Sequence, residues 1–309
     1  MNNTISILIP ACGRPDLLQM CVDSVLPQLQ EGDEIVIGDD SPNIDMSLSS
    51  KANPQVRYHH NQPPLGQAAN VNLLIEAAQC DFIVLIHDDD FFVDDGISKL
   101  RKCVAADSNV TAAFGQQLVA NPDGSICTKD SLNLNKAFYR SPADESLRIS
   151  NFERAAIGQF PNNGYIIKSE LAKKLRYRSE SDVGDACDYD FGLRVGMNAT
   201  EIVFIPSPVS VYRQHQENIT NQPGNDAALR AYFLLKKYLG SCERTALVSN
   251  YLERKAPLAL LQACSLNQTS IAKTVYEDIY FRRNFPSVIF FKATLRYLIE
   301  HMKGYAIFR

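Results

Sequence analysis

Two acidic clusters hold the residues best able to do chemistry. Asp39-Asp40 ends one short apolar run, and His87-Asp88-Asp89-Asp90 ends another. Three adjacent carboxylates repel one another unless a cation or open water relieves the repulsion. Carboxylate oxygens are hard ligands suited to Mg²⁺ or Mn²⁺, and such ions usually take one or two carboxylates together with substrate phosphates. The pattern points to a nucleoside diphosphate bridged by a divalent metal. Two other readings stay open at this level. The clusters could be solvated turns and helix caps, or one Asp after a strand could be a phosphoryl-accepting nucleophile.

The elements that must position these clusters read as alternating strands and helices. Residues 5–9 form a nearly continuous apolar run, as a strand covered on both faces does. Pro15 opens a helix, with Leu17, Cys21, Val25 and Leu29 as its inward stripe and Pro27 as a break. Strands are expected at 34–37, 56–60, 82–86 and 110–114. Helices are expected at 67–78, with Leu73, Leu74 and Ala77 inward, and around Ile97, Leu100 and Val104. This alternation predicts an α/β fold, a Rossmann-like, mostly parallel sheet flanked by helices on both faces. Ligands bind such sheets beyond the carboxyl ends of the strands, where both acidic clusters fall. Further on, 170–175 and 189–197 read as helices, and 201–205 and 209–212 as strands. From residue 226 the pattern is helical, so residues 1–222 are read as a catalytic domain and 223–309 as a helical C-terminal region.

The 309 residues are 45% hydrophobic and 21% charged with a net charge of −4, which excludes a disordered or fibrous chain and disfavours a general nucleic-acid binder. None of the eight Cys forms a CxxC pair or a zinc-like spacing with His. The first residues lack a signal-peptide pattern and no long apolar span occurs, so a cytoplasmic chain with reduced thiols is expected. No GxGxxG follows the first strand, which disfavours a dehydrogenase. Residues 273–309 carry seven Lys/Arg against three acids, interleaved with aromatic residues. Such a segment suits the inner face of an anionic membrane, and equally a helical cap or a homodimer interface.

The segments ISILIPACGRPDLL, EIVIGDDS, LGQAANVNLLIEAA and DFIVLIHDDD, followed by DACDYDFGLRVG and VYRQHQENIT, resemble glycosyltransferase family 2, inverting enzymes of the GT-A fold. The resemblance covers residues 4–220. It implies a metal-dependent transfer, with Mn²⁺ or Mg²⁺, of a sugar from a nucleotide donor, UDP-linked, to a hydroxyl of a glycan or lipid-linked acceptor in bacterial surface polysaccharide synthesis. By resemblance, Pro10, Ala11 and Arg14 belong to the nucleotide loop, Asp39 or Asp40 meets the uracil, and Asp89 the ribose. Asp88 and Asp90 match the Asp-x-Asp metal motif, with Asp90 the direct ligand and His87 ordering the loop. His215 would complete the metal or diphosphate site, and Arg213 would reach the diphosphate or acceptor. Asp188 is the expected catalytic base, with Asp185 and Asp190 as rivals. Asn163, Gly164 and Tyr165 would contact donor sugar or acceptor, or form a plain turn. Two departures stand out: Cys187 replaces a usual Glu, and Val71 a usual Arg. Two other functions remain: a sugar-1-phosphate nucleotidyltransferase, whose Gly-rich basic loop Ala11–Arg14 matches poorly, and a non-catalytic nucleotide-sugar-binding protein.

Overall fold

A computed structural model describes residues 3–43, 53–214, 224–240 and 245–306, with side chains to residue 300. His215 and the proposed boundary at 222/223 lie outside the described residues. Eight strands form one sheet: β1 (Ile5–Ala11), β2 (Glu34–Asp39), β3 (Val56–His60), β4 (Phe82–Leu85), β5 (Phe91–Phe92), β6 (Val110–Ala120), β7 (Tyr165–Lys168) and β8 (Glu201–Arg213). Their order is β3-β2-β1-β4-β7-β6-β8-β5. The β3-β2-β1-β4 run is parallel, and so is β6 with β8. β7 is antiparallel to both its neighbours, and β5 to β8. The chain moves outward from β1 to β2 and β3, then returns to place β4 on the other side of β1. That reversal makes a topological switch point, where loops after β1 and β4 lie side by side.

The hydrophobic pattern explains the layers. Every residue of β2 is buried, and β1 is buried except at Pro10. Helix α1 (Pro15–Val25) lays Leu18, Cys21, Val22 and Val25 on the sheet, and α2 (Gln67–Ala77) lays Ala68, Val71, Leu74 and Ile75. Helix α3 (Gly96–Ala106) buries Ile97, Leu100 and Val104, as its spacing predicts. For α1 and α2 the buried stripe is rotated by about one residue from the expected one. Leu17 and Leu73 are only half-buried, because side chains lean toward the helix N-terminus and cover the preceding turn. Pro27 ends α1 as expected, in a 3₁₀ turn at Leu26–Gln28.

One expectation is corrected at β8. The prolines at 206 and 208 split the sequence pattern in two, yet Glu201–Arg213 is a single strand. The register with β6 slips between Gly115 and Gln116 and again between Gln116 and Gln117, opposite Pro208. A bulge absorbs prolines that cannot donate to a ladder. The longer β6–β8 pair therefore carries Arg213 beyond the ends of the shorter central strands.

The described chain divides into two compact units. One comprises residues 1–178 and 191–215 and holds the sheet; the other comprises 179–190 and 216–309 and is helical. The first unit also holds α4 (Thr128–Ala137), α5 (Asn151–Ala156) and α6 (Ser169–Leu175); the second includes α7 (Glu180–Val183), α9 (Ala227–Leu239), α10 (Ala246–Ser265), α11 (Thr269–Glu277), α12 (Ile279–Arg282) and α13 (Val288–Ala306). The division falls within α8 (Cys187–Asn198).

Between β2 and α2 the fit leaves no room. A Cβ on Gly38 would stand 2.1 Å from Asn70 Oδ1, and Asn70 Nδ2 donates to the Gly38 carbonyl at 2.7 Å. Gly38→Ala is expected to cost about 2 kcal/mol in chemical denaturation through this overlap.

Candidate active site

The site grows from three strand ends. At the end of β2, Asp39 accepts from Ser41 N at 2.9 Å, and also from the Ser41 and Tyr58 hydroxyls. Ser41 Oγ in turn accepts from Gly13 N at 2.6 Å, so the loops after β1 and β2 are tied together. Ser41 and Tyr58 carry no motif and are missed by sequence reasoning. Asp40 is engaged elsewhere: Asn61 Nδ2 (2.8 Å), Leu65 N (3.1 Å) and Gly66 N (2.9 Å) all donate to its carboxylate. Its nearest task is to hold the 61–66 loop against β2. Ala11 is buried, and its carbonyl accepts from Asp40 N at 2.9 Å; Pro10 is half-buried beside it.

After β1, Arg14 turns its guanidinium onto the acidic loop. Its Nη1 donates to Asp89 Oδ2 at 2.6 Å, and its Nε (3.3 Å) and Nη2 donate to the two oxygens of Asp88. Cys12 N adds a bond to Asp88 Oδ2 at 3.1 Å. Arg14 and Asp88 meet because their loops flank the switch point. Burial still pushes the Asp88 carboxyl up to about 6, although Arg14 pulls it down.

Asp90 is buried as well, at 2% exposed. Arg213 N donates to its Oδ1 at 2.9 Å, and Asn163 Nδ2 to its Oδ2 at 2.9 Å. A backbone N–H and a neutral amide are weak compensation for a buried charge. Burial, with Asp89 adding to it, pushes the carboxyl up to about 7. Asn163 Nδ2 also lies 3.1 Å from His87 Nδ1. One ligand atom from each of His87, Asp89 and Asp90 lies within 4.8 Å of the others. His87 Nε2 is buried and has no hydrogen-bond partner among the described residues. Two carboxylates, an imidazole with an orphaned nitrogen and a destabilised buried charge together fit a divalent cation.

Several expectations shift. Asp88, expected as a ligand, faces Arg14 and Cys12 N, while His87, expected only to order the loop, joins Asp89 and Asp90. Arg213 is 2% exposed and clamps the loop instead of reaching outward. Its Nε donates to the Asp89 carbonyl at 3.1 Å and its Nη1 to the Pro122 carbonyl at 3.0 Å. Asn163 is 1% exposed and acts as a strut under Asp90 and His87. Gly164 and Tyr165 belong to the core. Gly164 N donates to Leu85 O at 2.7 Å, a Cβ there would stand 2.3 Å from Ser210 Oγ, and Tyr165 packs its ring 4.7 Å from Phe160. Val71 is fully buried, so core packing occupies the position where an Arg was expected. Its neighbour Asn72 clasps the Tyr177 backbone, accepting from N at 2.7 Å and donating to O at 2.9 Å.

Asp188 lies in the helical unit, half-buried in the first turn of α8. Both rivals have structural partners in that unit. Asp185 and Asp226 each accept from the other's backbone N–H, at 2.9 and 3.0 Å. Asp190 is fully buried and accepts from Tyr238 OH at 3.2 Å. Cys187, in place of the usual Glu, is buried, and burial drives its thiol well up.

Removing Arg14 strands the Asp88 charge. Arg14→Ala is expected to lower stability at neutral pH by about 3 kcal/mol in chemical denaturation, and to do so far less in an Asp88→Asn background.

The comparisons with known proteins agree with this fold. A glucosyltransferase from Campylobacter jejuni, named for GalNAc(5)-diNAcBac-PP-undecaprenol, is 20% identical over 304 residues and covers 92% of this chain and 91% of its own. TarS from S. aureus, solved with UDP-GlcNAc, superposes with a TM-score of 0.65 at 12% identity over 96% of this chain and 89% of that one. A mannosyltransferase from Pyrobaculum calidifontis, solved with GDP-Man and Mn²⁺, gives 0.56 at 16% identity over 95% and 86%. The model of glycosyl transferase family 2 matches residues 6–163, which span all three strand ends of the site. The chain belongs to glycosyl transferase family 2 and is a glycosyltransferase.

Proposed function

We propose that the protein moves one sugar from a UDP-linked donor to a hydroxyl of a lipid-linked or polysaccharide acceptor, with inversion at the anomeric carbon. The observation that carries this reading is the convergence, on one sheet edge, of Arg14, Asp39 and His87–Asp90 from the ends of β1, β2 and β4. A UDP-type donor is supported by the UDP-GlcNAc complex of the S. aureus neighbour, and a lipid-linked acceptor by the name of the C. jejuni relative.

His87, Asp89 and Asp90 would hold a divalent cation, Mn²⁺ or Mg²⁺, which when bound supplies positive charge against the departing diphosphate. The chain's own residues do the rest. Asn163 fixes the orientation of Asp90 and His87, and Arg213 pins the loop from above. Arg14 offsets the charges of Asp88 and Asp89 and holds the loop against β1. Asp39 is the residue assigned to the uracil; a wrong base would leave buried polar groups unpaired. Asp188 is assigned as the base from its motif, DACDYDFG. It takes the proton of the acceptor hydroxyl while that oxygen bonds to the anomeric carbon and the bond to the nucleotide breaks on the opposite face. No covalent enzyme intermediate is required.

Asp188→Asn is expected to reduce turnover by about 10²–10⁴-fold while Mn²⁺-dependent donor binding survives. Unchanged turnover would remove Asp188 from the mechanism. Asp89→Asn, at a carboxylate 14% exposed, is expected to abolish the Mn²⁺-dependent part of the thermal shift produced by UDP. An equal shift in the variant, or a larger shift with GDP than with UDP, would count against the ligand set or the donor respectively.

A further inference from the structure

Helix α13 leaves an apolar stripe in water. Its inward side is held by Ala293, which is fully buried, by Tyr297, which stacks on Tyr276 of α11 with ring centroids 4.4 Å apart, and by Phe290, which stacks on the buried Phe281 of α12 at 4.9 Å. On the outer side Val288 (86%), Phe291 (53%), Leu295 (60%), Leu298 (46%) and Ile299 (42%) are exposed. Steps of three, four, three and one place all five on one face. Phe285, 64% exposed, extends the stripe past the helix start, with its ring 5.9 Å from that of Phe291. Single exposed apolar residues need no explanation, but a contiguous stripe of this length marks a contact surface.

The charges around the stripe select its occupant. Lys292 and Arg296 are exposed and lie along one flank, one turn apart; just ahead of the helix Arg282 is exposed, and so is Arg283, which pairs with Glu253 at 2.9 Å. The single acid of α13, Glu300, is half-buried and paired with Arg296 at 3.2 Å. Two copies meeting through this face would bring cationic flanks of one sign together. Anionic headgroups complement the same flanks, and the acyl boundary takes the apolar residues. No helix among the described residues is long and apolar enough to cross a membrane, so this helix would lie in the plane of the surface.

We infer that α13 is an interfacial helix that docks the chain on an anionic lipid surface through Phe285, Val288, Phe291, Leu295 and Ile299, with Lys292 and Arg296 on the headgroups. This docking does not depend on which donor or base the enzyme uses.

Co-sedimentation of the full chain with vesicles tests it. The wild type is expected to pellet with phosphatidylcholine vesicles containing phosphatidylglycerol, to remain in solution with phosphatidylcholine alone, and to be released by high salt. Phe291→Ser with Leu295→Ser, and separately Arg282→Glu with Lys292→Glu, are each expected to weaken partitioning by about tenfold or more at an unchanged denaturation midpoint. A wild type that stays in solution with both vesicle types overturns the proposal, as do variants that pellet as well as the wild type. So does a wild-type dimer that the serine variant converts to a monomer without any vesicle binding, because the face would then belong to a second copy.

Discussion

Three carboxylates follow one another at the end of β4, and the protein must fold around their mutual repulsion. Asp88 and Asp90 are both nearly excluded from water, where a charge is expensive unless it is paired or hydrogen-bonded. Arg14 comes from the loop after β1 and covers Asp88 and Asp89. The backbone N–H of Arg213 comes from the end of β8 and the amide of Asn163 from the start of β7, and both serve Asp90. The loop is therefore held by segments that are distant in sequence. The compensation is incomplete, as the raised carboxyl of Asp90 shows. A site that is stable enough to form yet short of positive charge is suited to accept a cation.

The sheet order makes this arrangement possible. β1 and β4 are adjacent and parallel, so their following loops emerge side by side. β7 runs antiparallel beside β4, which brings its first residues to that same edge, with Leu85 opposite Tyr165. The bulged β6–β8 pair outruns the central strands and carries Arg213 back over the loop. A sheet parallel throughout would have sent the start of β7 to the opposite edge and left Asp90 without Asn163. On the β2 side, Ser41, Tyr58 and Asn61 divide Asp39 and Asp40 between two tasks that look identical in sequence.

The helical unit follows a different rule. Its interior is mostly aliphatic, with Leu235, Leu252 and Leu260 at its centre, and adds the Tyr276–Tyr297 and Tyr189–Tyr251 stacks; the Asp185–Asp226 pair ties residues 179–190 to the start of α9. Much of the apolar content of α13 is not used inside the unit at all. Among its described side chains α13 buries Ala293 and Tyr297 and half-buries Phe290 on Phe281, while Val288, Phe291, Leu295, Leu298 and Ile299 stay exposed.

The sequence by itself determined the strands at 5–9, 34–37 and 82–86, because continuous apolar runs ending at Asp clusters are local signals. It also determined the sheet-flanked architecture and, through ordered motifs, the enzyme family. Only the tertiary structure decided what each polar residue faces. By family resemblance Arg213 and Asn163 read as ligand contacts, yet long-range pairing buries both under the acidic loop. Asp88 stands outside the His87–Asp89–Asp90 group because Arg14, 74 residues away in sequence, claims its carboxylate. The continuity of β8 through two prolines depends on a bulge opposite Gly115–Gln117, and the outward turn of the apolar side of α13 depends on which face α10 and α11 already cover. Burial and register are set by partners remote along the chain, and no local pattern of residues encodes them.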